Sequence, residues 1–213
     1  HLDNFRTLGV TDVTIVTGYE AEALAAELDE WEPTGQLSLH TAFNPNFEAG
    51  NGVSVLRGVE AGRDALAAGA TPFWLTMSDH LFQPGLFERV SRRFEPGPST
   101  AAMLCVDAKL ETIFDMPDAN KLDWRNGRLV DIGKDLDQFN LVDVGLFWCD
   151  NAFVQALEAE MADRGDCSTS DAVRRLAKRG EFDVLDIGEH LWQDVDTPEA
   201  RTHAESLLEK WRG

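Results

Sequence analysis

Short apolar runs alternate with helically spaced segments along the first half of the chain, and this alternation restricts the fold more than any other feature. Residues 11–17 (TDVTIVT) read as a β-branched strand, 20–31 as an Ala/Leu/Glu helix ended by Pro33 and Gly35, and 37–42 as a second strand. Residues 53–68 then carry Val55, Leu56, Val59, Ala65 and Leu66 at helical spacing. The run at 73–77 has the pattern of a strand buried on both faces. It stops at Ser78-Asp79-His80, and a helix is expected to begin near Pro84, because proline is tolerated in a first helical turn. A helix at 86–94 and a strand at 100–106 continue the series. Such a pattern predicts an α/β fold with a mostly parallel sheet covered on both faces.

The second half departs from it. Runs at 121–124 and 128–131 flank Arg125-Asn126-Gly127, and Asn-Gly between alternating runs signals a β-hairpin, here an insertion beside the main sheet that ends near Lys134. Leu141–Cys149 reads as another buried strand, 151–162 as a helix, Ser168 or Thr169 as the start of the next, and 182–187 as a late strand. Thr197 is placed to cap a final helix with Pro198 at its first position. At the other end Leu2, Phe5 and Leu8 share a helical face that Gly9 closes. With 213 residues and no linker or repeat, residues 1–213 are expected to form a single domain with a sizeable core.

A net charge of -19 argues against nucleic acid or an anionic membrane as partner. The acidity suits either a solubility device or a high-salt cytoplasm. No apolar run is long enough to span a bilayer, and the amino terminus lacks the order of a secretory signal. Cys105, Cys149 and Cys167 include no CxxC pair, and the first two sit in apolar runs. Buried thiols in a reducing, cytoplasmic setting are expected.

Candidate chemistry collects where strands end, since ligands of open α/β sheets bind outside the carboxyl ends of parallel strands. Asp79 is in that position, as a turn cap or as part of a site. Asp194 and Asp196 form a second acidic group before the last helix, where Asp196 either neighbours the cap or acts as a ligand. Carboxylates from distant parts of the chain meeting at one sheet edge would suit Mg²⁺, which takes one or two of them plus substrate phosphates. Lysines are scarce, and Lys134, after a glycine at the end of the hairpin, is either a solvated loop charge or a phosphate ligand. The loop Gly50-Asn51-Gly52 is either a tight turn or a source of backbone N–H groups for an anion or a base edge. The histidines show no metal spacing, and no Ser/His/Asp order stands out.

Together and in order, these pieces resemble the inositol-1-phosphate cytidylyltransferase group of the sugar-nucleotidyltransferase superfamily. The matching segments are Gly50 through Leu56, Leu75-Thr76-Met77-Ser78-Asp79-His80, Ala119-Asn120-Lys121, Asn126 through Val130, Ile132-Gly133-Lys134-Asp135-Leu136, Val142 through Phe147, and Leu191-Trp192-Gln193-Asp194-Val195-Asp196-Thr197. The resemblance implies a three-layer Rossmann-like nucleotide-diphospho-sugar transferase fold, with a mixed, mostly parallel sheet and a β-hairpin insertion. It implies Mg²⁺-dependent transfer of CMP from CTP to a phosphorylated polyol such as inositol 1-phosphate, releasing pyrophosphate. It also implies fusion to, or partnership with, a membrane synthase. Asp79 with Asp194 or Asp196 would hold the metal, and Asn51, Gly52 and Ser54 the nucleotide. Lys134 would bind the acceptor phosphate, beside His80 and Asp143. Val144 stands where relatives often have threonine or a small residue, which bears on acceptor choice.

The resemblance further implies an opening strand and a Gly-rich Arg/Lys loop that this sequence does not contain. On that basis the 213 residues alone are expected to fold poorly, or to borrow a strand, and not to turn over CTP. Alternatives are a different acceptor (sugar 1-phosphate, phosphocholine, an aminophosphonate) or a nucleotide-binding remnant without catalysis. The chemistry itself needs no protein nucleophile. A phosphate monoester has a second pKa of ~6 and is largely dianionic at neutral pH, so positioning and charge neutralisation would do most of the work.

Overall fold

β-Branched and aromatic residues extend the chain where turn chemistry brackets them, and the apolar helical stripes cover the sheet they make. The computed structural model describes residues 2–30, 37–65 and 72–212. Its strands are β1 (Asp12–Thr17), β2 (Ser38–Phe43), β3 (Phe73–Thr76), β4 (His80–Phe82), β5 (Ala102–Asp107), β6 (Lys121–Arg125), β7 (Arg128–Gly133), β8 (Leu141–Cys149), β9 (Phe182–Asp186) and β10 (Trp192–Asp194). The helices are α1 (Leu2–Thr7), α2 (Ala21–Glu30), α3 (Asn51–Ala65), α4 (Leu86–Arg93), α5 (Asn151–Arg164), α6 (Thr169–Ala177) and α7 (Pro198–Arg212). His1, the helix stop at Trp31, Pro33 and Gly35, the expected continuation of α3 through 66–68, and Thr71 lie outside the described residues.

The central sheet runs β7-β6-β8-β5-β9, with β3 on the same edge of β8 as β6. Strands β3 and β5 are both antiparallel to β8, and β9 is parallel to β5. Thus β3, β5 and β9 share one direction, as the alternation predicts, and β8 runs against them between β3 and β5. The sheet is mixed because the chain re-enters it from the hairpin rather than from a crossover helix.

Alternating side chains of β5 separate two cores. Ala102, Leu104 and Val106 join Phe147, Phe153, Leu157 and Leu176 beneath α3, α5 and α6. Met103 and Cys105 join Leu86, Phe87 and Val90 beneath α4, with Phe5 of α1. Full burial of each such Leu, Val or Phe contributes about 1.5–3 kcal/mol, so these two layers of apolar contact are what make the fold three layers thick. Cys105 and Cys149 are free and buried, as expected, and so is Cys167.

Strands β1 and β2 form a separate parallel pair in register Asp12↔Ser38 to Thr17↔Phe43. Helix α3 packs on both and on α5, linking the pair to the rest. Among the described residues, β1 and β3 each keep one edge without a strand partner. This changes the reading of β3. It was expected to be buried on both faces, but each of its residues is only half-buried, since it has a ladder on one side alone.

The hairpin forms where Asn126 and Gly127 adopt φ of 53° and 72°, the left-handed pair that a two-residue turn between twisted strands demands. It joins β8 only through Lys121↔Val142 and Leu122↔Leu141, then leans on α6. Strands β4 and β10 have no counterpart in the sequence reading. They pair antiparallel with each other, and α4 begins after Gly85, beyond the expected start at Pro84. At the last helix Thr197 Oγ1 accepts the Ala200 N–H at 3.1 Å, the cap read from the sequence.

Candidate functional site

The β4–β10 ladder brings the two acidic segments together. Asp194 lies opposite His80, and the Val195 N–H donates to the Asp79 carbonyl at 2.9 Å. The side chains of Asp79 and Asp196 interact directly. Buried Gln193 donates to Asp194 Oδ1 at 2.9 Å and to the Asp194 carbonyl at 2.7 Å, which orients that carboxylate. An open cavity of about 270 Å³ lies between the Asp79 turn and α7.

His80 is in direct contact with Asp79, the first of these acids. Its Nδ1 is 2.8 Å from Asp79 Oδ1. Its ring stacks on Trp192, with centroids 5.3 Å apart and planes at 14°. Gly145, at φ 73°, lies against Nε2, and a Cβ there would come within 2.6 Å. Burial opposes a charge on the imidazole, but Asp79, Asp143 and Asp194 together raise it above its ordinary value. The His80 hydrogen bond in turn holds Asp79 below the usual carboxylate range, against the cost of burial.

The other acids are displaced upward. Burial lifts Asp194, opposed by His80 and reinforced by Asp79 and Asp115. Burial also lifts Asp196, with Asp79, Asp194 and Asp118 adding repulsion. Asp115 and Asp118, on the loop before β6, therefore belong to the same field. Asp118 holds Lys134 Nζ with both oxygens at 2.8 Å, and both side chains are exposed (47% and 56%). Buried Lys121 sets this loop by donating to the carbonyls of Pro117, Ala119 and Lys134. Lys134 thus reaches the acidic cluster through Asp118.

Asp143 lies beside the same cluster, raised by burial against hydrogen bonds from the Gly145 N–H (2.7 Å) and Asn120 Nδ2 (2.9 Å). Asn120 Nδ2 also donates to Ser170 Oγ at 3.1 Å, so Asp143 connects to the start of α6. The start of α3 meets α6 there too. Asn51 Nδ2 donates to Thr169 Oγ1 at 3.2 Å, and its Oδ1 accepts the Thr169 N–H at 2.9 Å. The Gly52 N–H donates to the Cys167 carbonyl at 3.1 Å, and a Cβ on Gly52 would meet Leu157 at 2.7 Å. Ser54 Oγ accepts from Asn44 Nδ2 at 2.9 Å. Asn51, Gly52 and Ser54 therefore have partners within the chain, and Gly52 supplies the space that lets α3 approach the loop before α6.

The structure joins Asp79, His80, Asp143, Asp194 and Asp196 in one charge-coupled group, with Lys134 at its edge. Asn51, Gly52 and Ser54 stand apart, connected through α6 and Asn120. Asp115, Asp118, Asn120, Ser170 and Trp192 were given no role in the sequence reading. The acids at Asp115 and Asp118, just ahead of Ala119-Asn120-Lys121, were the available signal. Among the described residues, no set of three or more His, Cys, Asp and Glu has metal-holding geometry. Asp79 and Asp196 are a neighbouring pair of carboxylates. One or two carboxylates are the number Mg²⁺ takes when phosphate oxygens and water complete its shell.

The fold is that of sugar nucleotidyltransferases. The inositol-1-phosphate CTP transferase from T. maritima superposes with a TM-score of 0.76 over 98% of this chain and 80% of that one, at 22% identity. A UDP-glucose pyrophosphorylase complexed with UDP-glucose gives 0.74, covering 98% and 84% at 15% identity.

Within that class the chain resembles the inositol-1-phosphate cytidylyltransferase group. It is 29% identical over 202 residues to the bifunctional IPC transferase and DIPP synthase of Rubrobacter xylanophilus, covering 94% of this chain and 42% of that protein. It is 31% identical over 161 residues to the protein so named in Archaeoglobus fulgidus, covering 76% and 29%. The chain spans less than half the length of these relatives. No protein-family model matches it. Among the described residues, no helix is long and apolar enough to cross a membrane.

Proposed function

We propose that the chain is a single nucleotidyltransferase domain that transfers CMP from CTP to a phosphorylated polyol of the inositol 1-phosphate kind, releasing pyrophosphate. The observation that carries this reading is the β4–β10 ladder, which sets Asp79 against Asp196 at one end of the sheet. The names of the similar proteins supply the nucleotide and the acceptor.

In this reading a phosphate oxygen of the acceptor bonds to the α-phosphorus of CTP as the α–β bridging P–O bond breaks. Pyrophosphate leaves with the electron pair. The acceptor is already a dianion, so no proton need be removed from it. Asp79 and Asp196 would hold Mg²⁺ at the α-phosphate, with Asp194 beside them. Their chemistry fits a hard cation, since they offer oxygen only, and burial together with the nearby Asp79 and Asp194 charges raises Asp196, a cost that a cation would offset. When bound, the ion supplies charge neutralisation at the phosphoryl group.

The chain's own groups do the positioning. Lys134 exchanges Asp118 for the acceptor phosphate, Asp143 and Asn120 face its hydroxyls, and the loop before α3 lies towards the nucleotide. A synthase joined to or associated with this domain would consume the product, as the bifunctional names of the relatives suggest. The test, on the full-length protein, is pyrophosphate release from CTP, UTP, GTP and ATP with Mg²⁺, using inositol 1-phosphate and then sugar 1-phosphates, phosphocholine and an aminophosphonate. CTP with inositol 1-phosphate is expected to be fastest. Preference for UTP or GTP would overturn the cytidylyl assignment, and no turnover with any pair would favour a nucleotide-binding remnant.

A further inference from the structure

We propose that Asp107 and Trp192 are positioning residues for Asp79, acting through the His80 ring; this rests on the reading of Asp79 as a cation ligand. Asp107 closes β5 and is 1% exposed. A carboxylate buried so far from water needs a compensating charge, and Lys109 provides it. Lys109 Nζ and its backbone N–H both donate to Oδ1 at 2.7 Å. That leaves Oδ2 to accept the indole N–H of Trp192 at 3.1 Å. A buried ion pair is weak evidence of stabilisation, since apolar replacements often serve as well. What this pair adds is a fixed, directional acceptor for one indole.

The indole then fixes the imidazole. Trp192 and His80 are diagonal across the β4–β10 ladder, Trp192 opposite Phe82 and Asp194 opposite His80. Large side chains reach each other at that spacing, and these two rings stack at 5.3 Å. Gly145 closes off the Nε2 end, where a Cβ would come within 2.6 Å. The ring has little freedom to turn, so Nδ1 stays on Asp79 Oδ1. Asp79 is thereby held through one oxygen, leaving Oδ2 free of that bond for a cation shared with Asp196 in the proposed reading. Hydrogen-bonded partners behind a ligating carboxylate orient it, and their loss costs about 10–100-fold in metal affinity.

The test uses Mn²⁺ binding to the intact protein, followed by electron paramagnetic resonance, together with the ¹⁵N signal of the His80 imidazole. Asp79→Asn should abolish binding, and Trp192→Ala should weaken it about 10–100-fold. Trp192→Phe keeps an aromatic ring and removes only the N–H that Asp107 accepts. It should weaken binding by a smaller factor and move the His80 signal in the same direction as Trp192→Ala. Core packing alone would leave that signal in place.

Wild-type affinity and an unmoved His80 signal in both Trp192 variants would overturn the proposal. Should Trp192→Ala fail to fold, Trp192→Phe decides by the same two readouts. Equal Mn²⁺ binding by wild type and Asp79→Asn would instead overturn the cation reading itself. The His80 signal would still show whether Trp192 holds the ring.

Discussion

Replacing Gly145 by alanine joins fold and site in one measurement. The residue has φ 73°, and the added Cβ would lie 2.6 Å from His80 Nε2 and 2.7 Å from Cδ2. A non-glycine residue in the left-handed region costs about 1–2 kcal/mol. Forcing His80 off its rotamer adds about 0.5–1.5 kcal/mol. The expected loss is therefore about 1.5–3.5 kcal/mol, a large part of the ~5–15 kcal/mol typical of a folded domain. The control is Gly165→Ala, at φ 74° with no atom within 4 Å of the added Cβ. It carries the backbone cost of about 1–2 kcal/mol alone. Urea unfolding of both variants, read as midpoint at constant slope, separates the two contributions. Pyrophosphate release should fall in Gly145→Ala and persist in Gly165→Ala, because only the first moves the ring that holds Asp79. Equal destabilisation with equal activity would refute the role given to His80.

The remaining expectations follow from charge and burial. Burial raises Asp194, and a carboxylate raised in the folded state loses stabilisation as pH climbs through its folded value. Asp194→Asn should therefore unfold at higher urea than wild type at pH 7 without added metal, and the difference should vanish below pH 3.8, the ordinary value. Lys134→Met should change stability by less than ~1 kcal/mol, since its pairing with Asp118 is exposed. It should raise the KM for the acceptor about tenfold or more, the loss of one charge-assisted hydrogen bond; an unchanged KM would remove Lys134 from the acceptor site. Amides of β1 and β2 should exchange faster than those of β5, because α2 has no buried residue while every residue of β5 is buried.

What was legible in the sequence was local. Asn126-Gly127 specifies a left-handed turn wherever it stands, so the turn of the hairpin could be placed to the residue, while its strands run one and two residues further than read. Thr197 and Ser168 cap helices through their own side chains, and the limits of β8 follow from an apolar run nine residues long. Strands β4 and β10 are three residues each, too short to show a period, and each exists only because the other pairs with it. The direction of β8 was hidden for a similar reason, since alternation says that strands are covered but not which way a returning strand runs. At the site, carboxylates beyond strand ends could be picked out, but not their mutual contact. The two hydrogen bonds of Asn51 to Thr169 were not visible because Thr169 is remote in sequence.

The charge pattern of the site also orders its parts. Asp79, Asp115, Asp118, Asp143, Asp194 and Asp196 interact through one field, with His80 within it and Lys134 at its edge. Asp143, Asp194 and Asp196 are raised, while Asp79 is held down by its hydrogen bond to His80. A cation entering the cluster would therefore meet Asp79 as the carboxylate already most committed to its charge, and would offset the burial and repulsion that lift Asp196. In the proposed reading the acceptor would work in the same direction: a phosphate that took Lys134 would leave Asp118 without that partner and add to the charge felt by Asp196, raising the demand for a cation. On these terms an acidic protein would hold an anionic acceptor by letting its phosphate take the place of the Asp118 carboxylate on Lys134 instead of adding to an empty field.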